Sequence, residues 1–142
     1  MNILFVYPKS SGLKSFIKKD ADILASKHHV HLFAFDRIRK DIFPMIKAMK
    51  ESDLAFSWFC GLHALLANIL AKLFRKPSIT VVGGYEVAEV PEIGYGQFVR
   101  GNNRYITILG LKFSKKVLNV SKYSRTETIV NTNTSPQKLK TI

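Results

Sequence analysis

Ser78 to Gly96 reads SITVVGGYEVAEVPEIGYG. A β-branched apolar run, Ile79 to Val82, breaks into the glycine pair Gly83 and Gly84, then into an acidic, glycine-punctuated segment. Such a short, unalternating run fits a strand covered on both faces. A buried strand that ends in glycines delivers a shaped loop. In open α/β sheets ligands bind beyond the carboxyl ends of the strands, so this loop is the first candidate for function. Its charge also sets it apart: three of the four acids after Ser78 lie in it, namely Glu86, Glu89 and Glu92.

Outward from that stretch the same alternation repeats. Ile3 to Tyr7 is a continuous apolar run ended by Pro8, a strand expected to lie centrally in a parallel sheet. Leu13, Phe16, Ile17, Ala21 and Leu24 follow at helical spacing up to about Lys27. Val30 to Phe35 reads as a second strand, Ile42 to Met49 as a short helix and Leu54 to Phe59 as a third strand. Gly61 to Phe74 carries a wide apolar stripe on a helix stopped by Pro77. Beyond the loop come a helix from Tyr105 to Phe113, a strand from Val117 to Val120, and a helix to about Val130 that Ser121 could cap. Leu139 to Ile142 reads as the start of a sixth strand. Strands alternating with helices predict one α/β domain over residues 1–142, Rossmann-like, with a doubly wound, mostly parallel sheet and helices on both faces.

The chain has 142 residues and a formal charge of +12, with 46% apolar and 23% charged residues. That composition argues for a folded core and against disorder. A single cysteine, Cys60, excludes an internal disulfide framework. No signal peptide and no apolar stretch of spanning length is read, so a soluble, cytoplasmic chain is expected. From Gln97 onward nine Lys or Arg face one acid, Glu127. An anionic partner is expected there: a membrane surface, a phosphorylated small molecule or nucleic acid.

Four stretches together resemble the N-terminal domain of group 1 glycosyltransferases of the GT-B fold, family GT4. They are MNILFVYP at the start, DLAFSWF from Asp53, RKPSITVVGGYEVAEVPEIGYG from Arg75, and KKVLNVSKYSRTETI from Lys115. The resemblance implies half of a retaining transferase that moves a sugar from a nucleotide-diphosphate sugar to a glycan or lipid-linked acceptor. It also implies a second, donor-binding domain that these residues do not contain, so a natural polypeptide continuing past Ile142 is expected, and no activity from the chain alone. Two positions depart from the family pattern. Glu86 stands where relatives often carry Asp, and the loop after the first strand has only Gly12, preceded by Lys9, Ser10 and Ser11.

The candidate substrate residues are Ser11, Gly12, Gly83, Gly84, Tyr85, Glu86, Tyr95 and Ser121; no catalytic residue is assigned. Glu86 could accept hydrogen bonds from sugar hydroxyls or pair with Arg100 or Arg104. Lys14, Lys18, Arg104, Lys112, Lys115 and Lys116 are the candidate anion or membrane contacts, which would make the protein peripheral on the cytoplasmic membrane face. Trp58 and Phe59 could stack on a sugar ring or pack in the core. Asp36 sits roughly where a ribose-binding acid would, but no GxGxxG accompanies it. Cys60 and His63, or His28, His29 and His31, lack the companion spacing of a metal site. No metal and no cofactor is expected. A free-standing nucleotide-binding or signalling module and a basic nucleic-acid-binding domain are the alternatives; the second lacks a recognition helix or basic-aromatic interleave.

Overall fold

Strands β1 (Asn2–Pro8), β2 (His29–Phe35), β3 (Leu54–Trp58), β4 (Ser78–Val82), β5 (Lys116–Asn119) and β6 (Leu139–Thr141) alternate with helices α1 (Ser15–Ala25), α2 (Ile38–Glu51), α3 (Leu62–Leu73), α4 (Asn103–Phe113) and α5 (Lys122–Thr132). The computed structural model describes residues 1–101 and 103–142, without the side chain of Arg100. The strands form one six-stranded sheet in the order β2-β1-β3-β4-β5-β6, and every pairing is parallel. This is the Rossmann-like, single-domain α/β fold that the alternating pattern predicts.

Alternation within the strands divides the core into layers. Leu4, Val6 and Ala55 point toward Met45 and Met49 of α2 and Ala67 and Ala71 of α3. Ile3, Phe5, Phe56 and Val81 point the other way, toward Ile17 and Ala21 of α1. Val82 and Val117 pack with Leu111 of α4 and Ile129 of α5, on the α3 side. Helices therefore cover both faces, one on the first and four on the second. β1 runs between β2 and β3, and Ile3 to Val6 are fully buried, which is why that run shows no polar alternation.

α2 is longer than the spacing predicts, because the Asp41 carboxylate accepts from the backbone N–H groups of Asp36 (2.6 Å) and Arg37 (2.9 Å) and so closes the first turn four residues earlier. Pro44 then lies inside the helix, where it cannot donate to the preceding turn. Burial pushes the Asp41 carboxyl upward, but those two N–H donors and the charges of Lys40 and Lys9 outweigh it and hold its pKa below the ordinary value.

In a sheet of this order the direction of chain progression reverses between β1 and β3. The α1 and α3 helices leave those two strands for opposite faces, and a crevice opens between them at the carboxyl edge.

Candidate functional site

A cavity of about 650 Å³ occupies that crevice. Pro8, Ser11 and Lys14 line it from the β1 side, Phe59 to His63 from the β3 side, and Gly83, Tyr85 and Glu86 from the β4 loop. Tyr95, Gln97, Asn103 and Ile106 complete the wall. The loop that leaves β4 is an ordered structure. Val87 and Ala88 are fully buried beneath it, and Val90 and Tyr95 form an antiparallel bridge. The Gln97 amide donates to the Tyr85 carbonyl at 2.9 Å, and Asn131 of α5 donates through Nδ2 to the Val87 carbonyl at 2.8 Å.

Glu86 holds the root of this loop. Its carboxylate accepts from the N–H groups of Gly83 (2.9 Å), Gly84 (3.0 Å) and Cys60 (3.4 Å), so one side chain ties the end of β4 to the end of β3. Burial pushes its pKa above the ordinary value, against the pull of those donors. Among the described residues it has no cationic partner; the Arg100 side chain lies outside them, and the Arg104 guanidinium stacks over Phe98 and Tyr105, at 5.7 Å from each ring. Glu89 and Glu92 are exposed.

Two titratable groups sit on the cavity floor beside it. His63 Nε2–H donates to the Trp58 carbonyl at 2.8 Å, and burial lowers the pKa of the ring, so the neutral imidazole is the resting form. The Cys60 thiol is pushed well above its ordinary range by burial and by the Glu86 charge, so it stays protonated and unreactive. Phe59 carries a backbone φ of 64°, rare for a bulky residue, at the point where β3 turns into the cavity.

The helix ends around the cavity differ from those elsewhere. α1 begins after Lys14 and α3 after Gly61, each without a side-chain cap and without an acid in its first turn. By contrast, Ser121 caps α5 through a capping box with Ser124 (3.0 and 3.2 Å), and α2, though it too lacks a side-chain cap, carries an acid, Asp41, in its first turn. The N–H groups of the first turns of α1 and α3 are thus left for solvent or ligand, at the positive ends of two helices. Above them Tyr85 and Tyr95 meet edge to face at 5.4 Å, each about half exposed.

Of the residues singled out from sequence, Ser11, Gly83, Tyr85, Glu86 and Tyr95 come together around the cavity, and so does Lys14. Gly12 (φ 62°) and Gly84 (φ 122°) supply left-handed backbone beside it. The Ser121 hydroxyl is engaged in its helix cap. The basic residues do not share one surface. Lys18 pairs with Asp22 on α1 at 2.8 Å, whereas Lys112 and Lys115 lie at the opposite edge of the sheet, where Lys116 begins β5. Lys9 lies 3.7 Å from Asp36. Trp58 is buried in the core and donates from Nε1 to Asp20 at 2.9 Å. His63, Gln97 and Asn103 went unassigned as ligand contacts; for His63 the signal was its place in the first turn after a strand end. Among the described residues no group of three metal-ligating side chains gathers, and no helix is long and apolar enough to cross a membrane.

No protein-family model matches the sequence, and no curated protein matches it. The fold is nonetheless shared with solved structures. The S. aureus MnaA–UDP co-structure superposes on 97% of this chain with a TM-score of 0.70 and 9% identity. UDP-GlcNAc 2-epimerase from Neisseria meningitidis, bound to UDP-GlcNAc, superposes on 99% with a TM-score of 0.69 and 10% identity. The enzyme from Methanocaldococcus jannaschii superposes on 100% with a TM-score of 0.66 and 10% identity. This chain spans only 43%, 45% and 45% of those three chains respectively. The domain thus has the fold of one half of a GT-B-like architecture. Two of these three structures are UDP-GlcNAc 2-epimerases by name and the third is a complex with UDP; none of the three is named as a GT4 transferase.

Proposed function

We propose that this chain is the acceptor-side half of an enzyme that processes a nucleotide-diphosphate sugar, with a second α/β domain facing the cavity across the carboxyl edge of the sheet. The observation that carries this reading is the convergence of two uncapped helix N-termini, α1 and α3, on one cavity. Open N-terminal amides favour phosphate or another anionic group, and Lys14 adds a full positive charge at the same place. Around that centre, Tyr85, Tyr95, Gln97 and Asn103 supply aromatic faces and amide groups of the kind that orient a polyhydroxylated ligand. Glu86 shapes this wall: its lone pairs are engaged by three backbone amides, and it sets the loop that presents both tyrosines. In the finer form of the proposal the reaction is retaining transfer to a glycan or lipid-linked acceptor, as the resemblance to family GT4 implies.

The test is NMR titration of the chain with UDP-GlcNAc and with a panel of mono- and disaccharides, followed by assay for turnover. A saccharide is expected to perturb Tyr85, Tyr95 and Gln97, with no product formed. Turnover of UDP-GlcNAc by this chain alone, or saturable binding that leaves the cavity residues unmoved, overturns the reading.

A second reading, half of a UDP-sugar epimerase, is favoured by the two epimerase structures that share the fold over 100% and 99% of this chain. Co-expression with the second domain separates the two. Sugar transferred to an added acceptor supports the transferase, and an epimerised nucleotide sugar without acceptor supports the epimerase.

A further inference from the structure

At the edge of the sheet away from the cavity, a concavity of about 470 Å³ is lined by six cations. Lys72, Arg75 and Lys76 come from the end of α3, Lys112 from the end of α4, Lys115 from the approach to β5 and Lys138 from the approach to β6. No Asp or Glu lines it, and neither ion pair found among the described residues involves any of the six.

Part of this cluster serves helix ends. Lys76 Nζ donates to the carbonyls of Met49 (2.6 Å) and Lys50 (2.7 Å) in the last turn of α2, and Lys138 Nζ donates to the Lys112 carbonyl (2.8 Å) at the end of α4. Lys72 Nζ lies over the Phe113 ring, 5.1 Å from its centroid. The carboxyl ends of α2, α3 and α4 carry a partial charge of roughly −0.5 each, about −1.5 in sum, so helix ends offset only a minor part of six positive charges. A surplus of about 4.5 charges in one concavity, without a carboxylate, makes it attractive to an anion. The crowding is felt at Lys138, whose ammonium is disfavoured by burial and by Lys72 and Lys115.

We propose that this concavity binds a compact oligophosphate anion, held by Lys72, Arg75, Lys112, Lys115 and Lys138. The site lies across the sheet from the cavity, so it stands whether or not the cavity handles a nucleotide sugar. Several linked phosphates match the charge surplus better than a single phosphate, and the concave shape favours a compact ligand over an extended flat surface.

Sodium tripolyphosphate is the probe, added to the whole chain and followed by NMR and calorimetry at low and at raised salt. Saturable binding that perturbs the amides of Lys112 to Lys116 is expected. The variant Lys72→Glu/Lys115→Glu should bind at least about tenfold more weakly, while Lys27→Glu/Lys47→Glu, with the same change in net charge elsewhere, should stay within about twofold of the parent. If the glutamate pair fails to fold, Lys72→Gln/Lys115→Gln should reproduce the loss. Absence of saturable binding, or equal weakening in both charge-reversed variants, overturns the proposal. Vesicles of phosphatidylcholine with phosphatidic acid form the second arm. Vesicle binding that tripolyphosphate displaces supports a phosphate site that can take its anion from a bilayer. Vesicle binding that tripolyphosphate does not displace overturns the site in favour of a flat membrane face.

Discussion

The ring of Phe59 occupies the space a side chain on Gly83 would need: a Cβ there would lie 2.7 Å from Phe59 Cε1. The ends of β3 and β4 are therefore in contact through a missing side chain, and Glu86 bridges the same two ends through hydrogen bonds. Gly83→Ala should cost about 1–3 kcal/mol, with the Phe59 ring displaced, because overpacking at a partly buried contact is relieved only by moving the ring. Combined with Phe59→Ala, the substitution should cost much less than the sum of the two singles.

Gly96→Ala should be worse. There φ is 108°, and a Cβ would overlap the Ala88 carbonyl oxygen, which belongs to the backbone and cannot swing away. At Gly94 φ is 62° with open space around it, so Gly94→Ala should cost only about 1 kcal/mol. Denaturant midpoints for the three variants should rank Gly96→Ala the least stable and Gly94→Ala the most.

Glu86 and His63 should impose opposite slopes on stability against pH. The folded pKa of Glu86 lies above its ordinary 4.5, so the stability it contributes is fully present below 4.5 and is lost as pH rises through the raised value. In Glu86→Gln that decline should vanish from urea titrations run across the acid range.

His63 works the other way. Its folded pKa lies below the ordinary 6.5, so its contribution is complete above 6.5 and is lost as pH falls through the lowered value. His63→Gln, which keeps a donor for the Trp58 carbonyl, should flatten that acid-side loss. An unchanged pH profile in this variant would show that the imidazole titrates as it does in the unfolded chain.

Ser121→Ala should lower stability by about 1 kcal/mol through loss of the α5 cap. It should leave saccharide binding at the cavity unchanged, whereas Tyr85→Ala or Tyr95→Ala should weaken that binding with little change in the thermal midpoint.

The strands were legible because burial on both faces writes an unbroken apolar run, as in Ile3 to Val6. The place of the site was legible for a related reason, since glycines after Val82 mark a strand end. The role of Glu86 was not. Its acceptor bonds reach Cys60, 26 residues away, and only the finished sheet sets those strand ends side by side. The first turn of α2 lies outside the Ile42 to Met49 reading because no local apolar pattern marks it, and the true start depends on Asp41 folding back onto Asp36 and Arg37. The six cations of the far edge span residues 72 to 138, so their gathering is a property of topology and not of any local run.

The strand order also dictates when the chain can fold. β1 lies between β2 and β3, pairing Ile3 with Val30 on one side and with Leu54 on the other. Until the chain has been synthesised as far as Trp58, four of its most apolar residues have no completed place in a sheet. Non-local parallel pairing of this kind slows folding and leaves sticky surface exposed in the interim. A nascent chain should gain protease resistance abruptly once the third strand clears the ribosome, and should depend on chaperones before that moment.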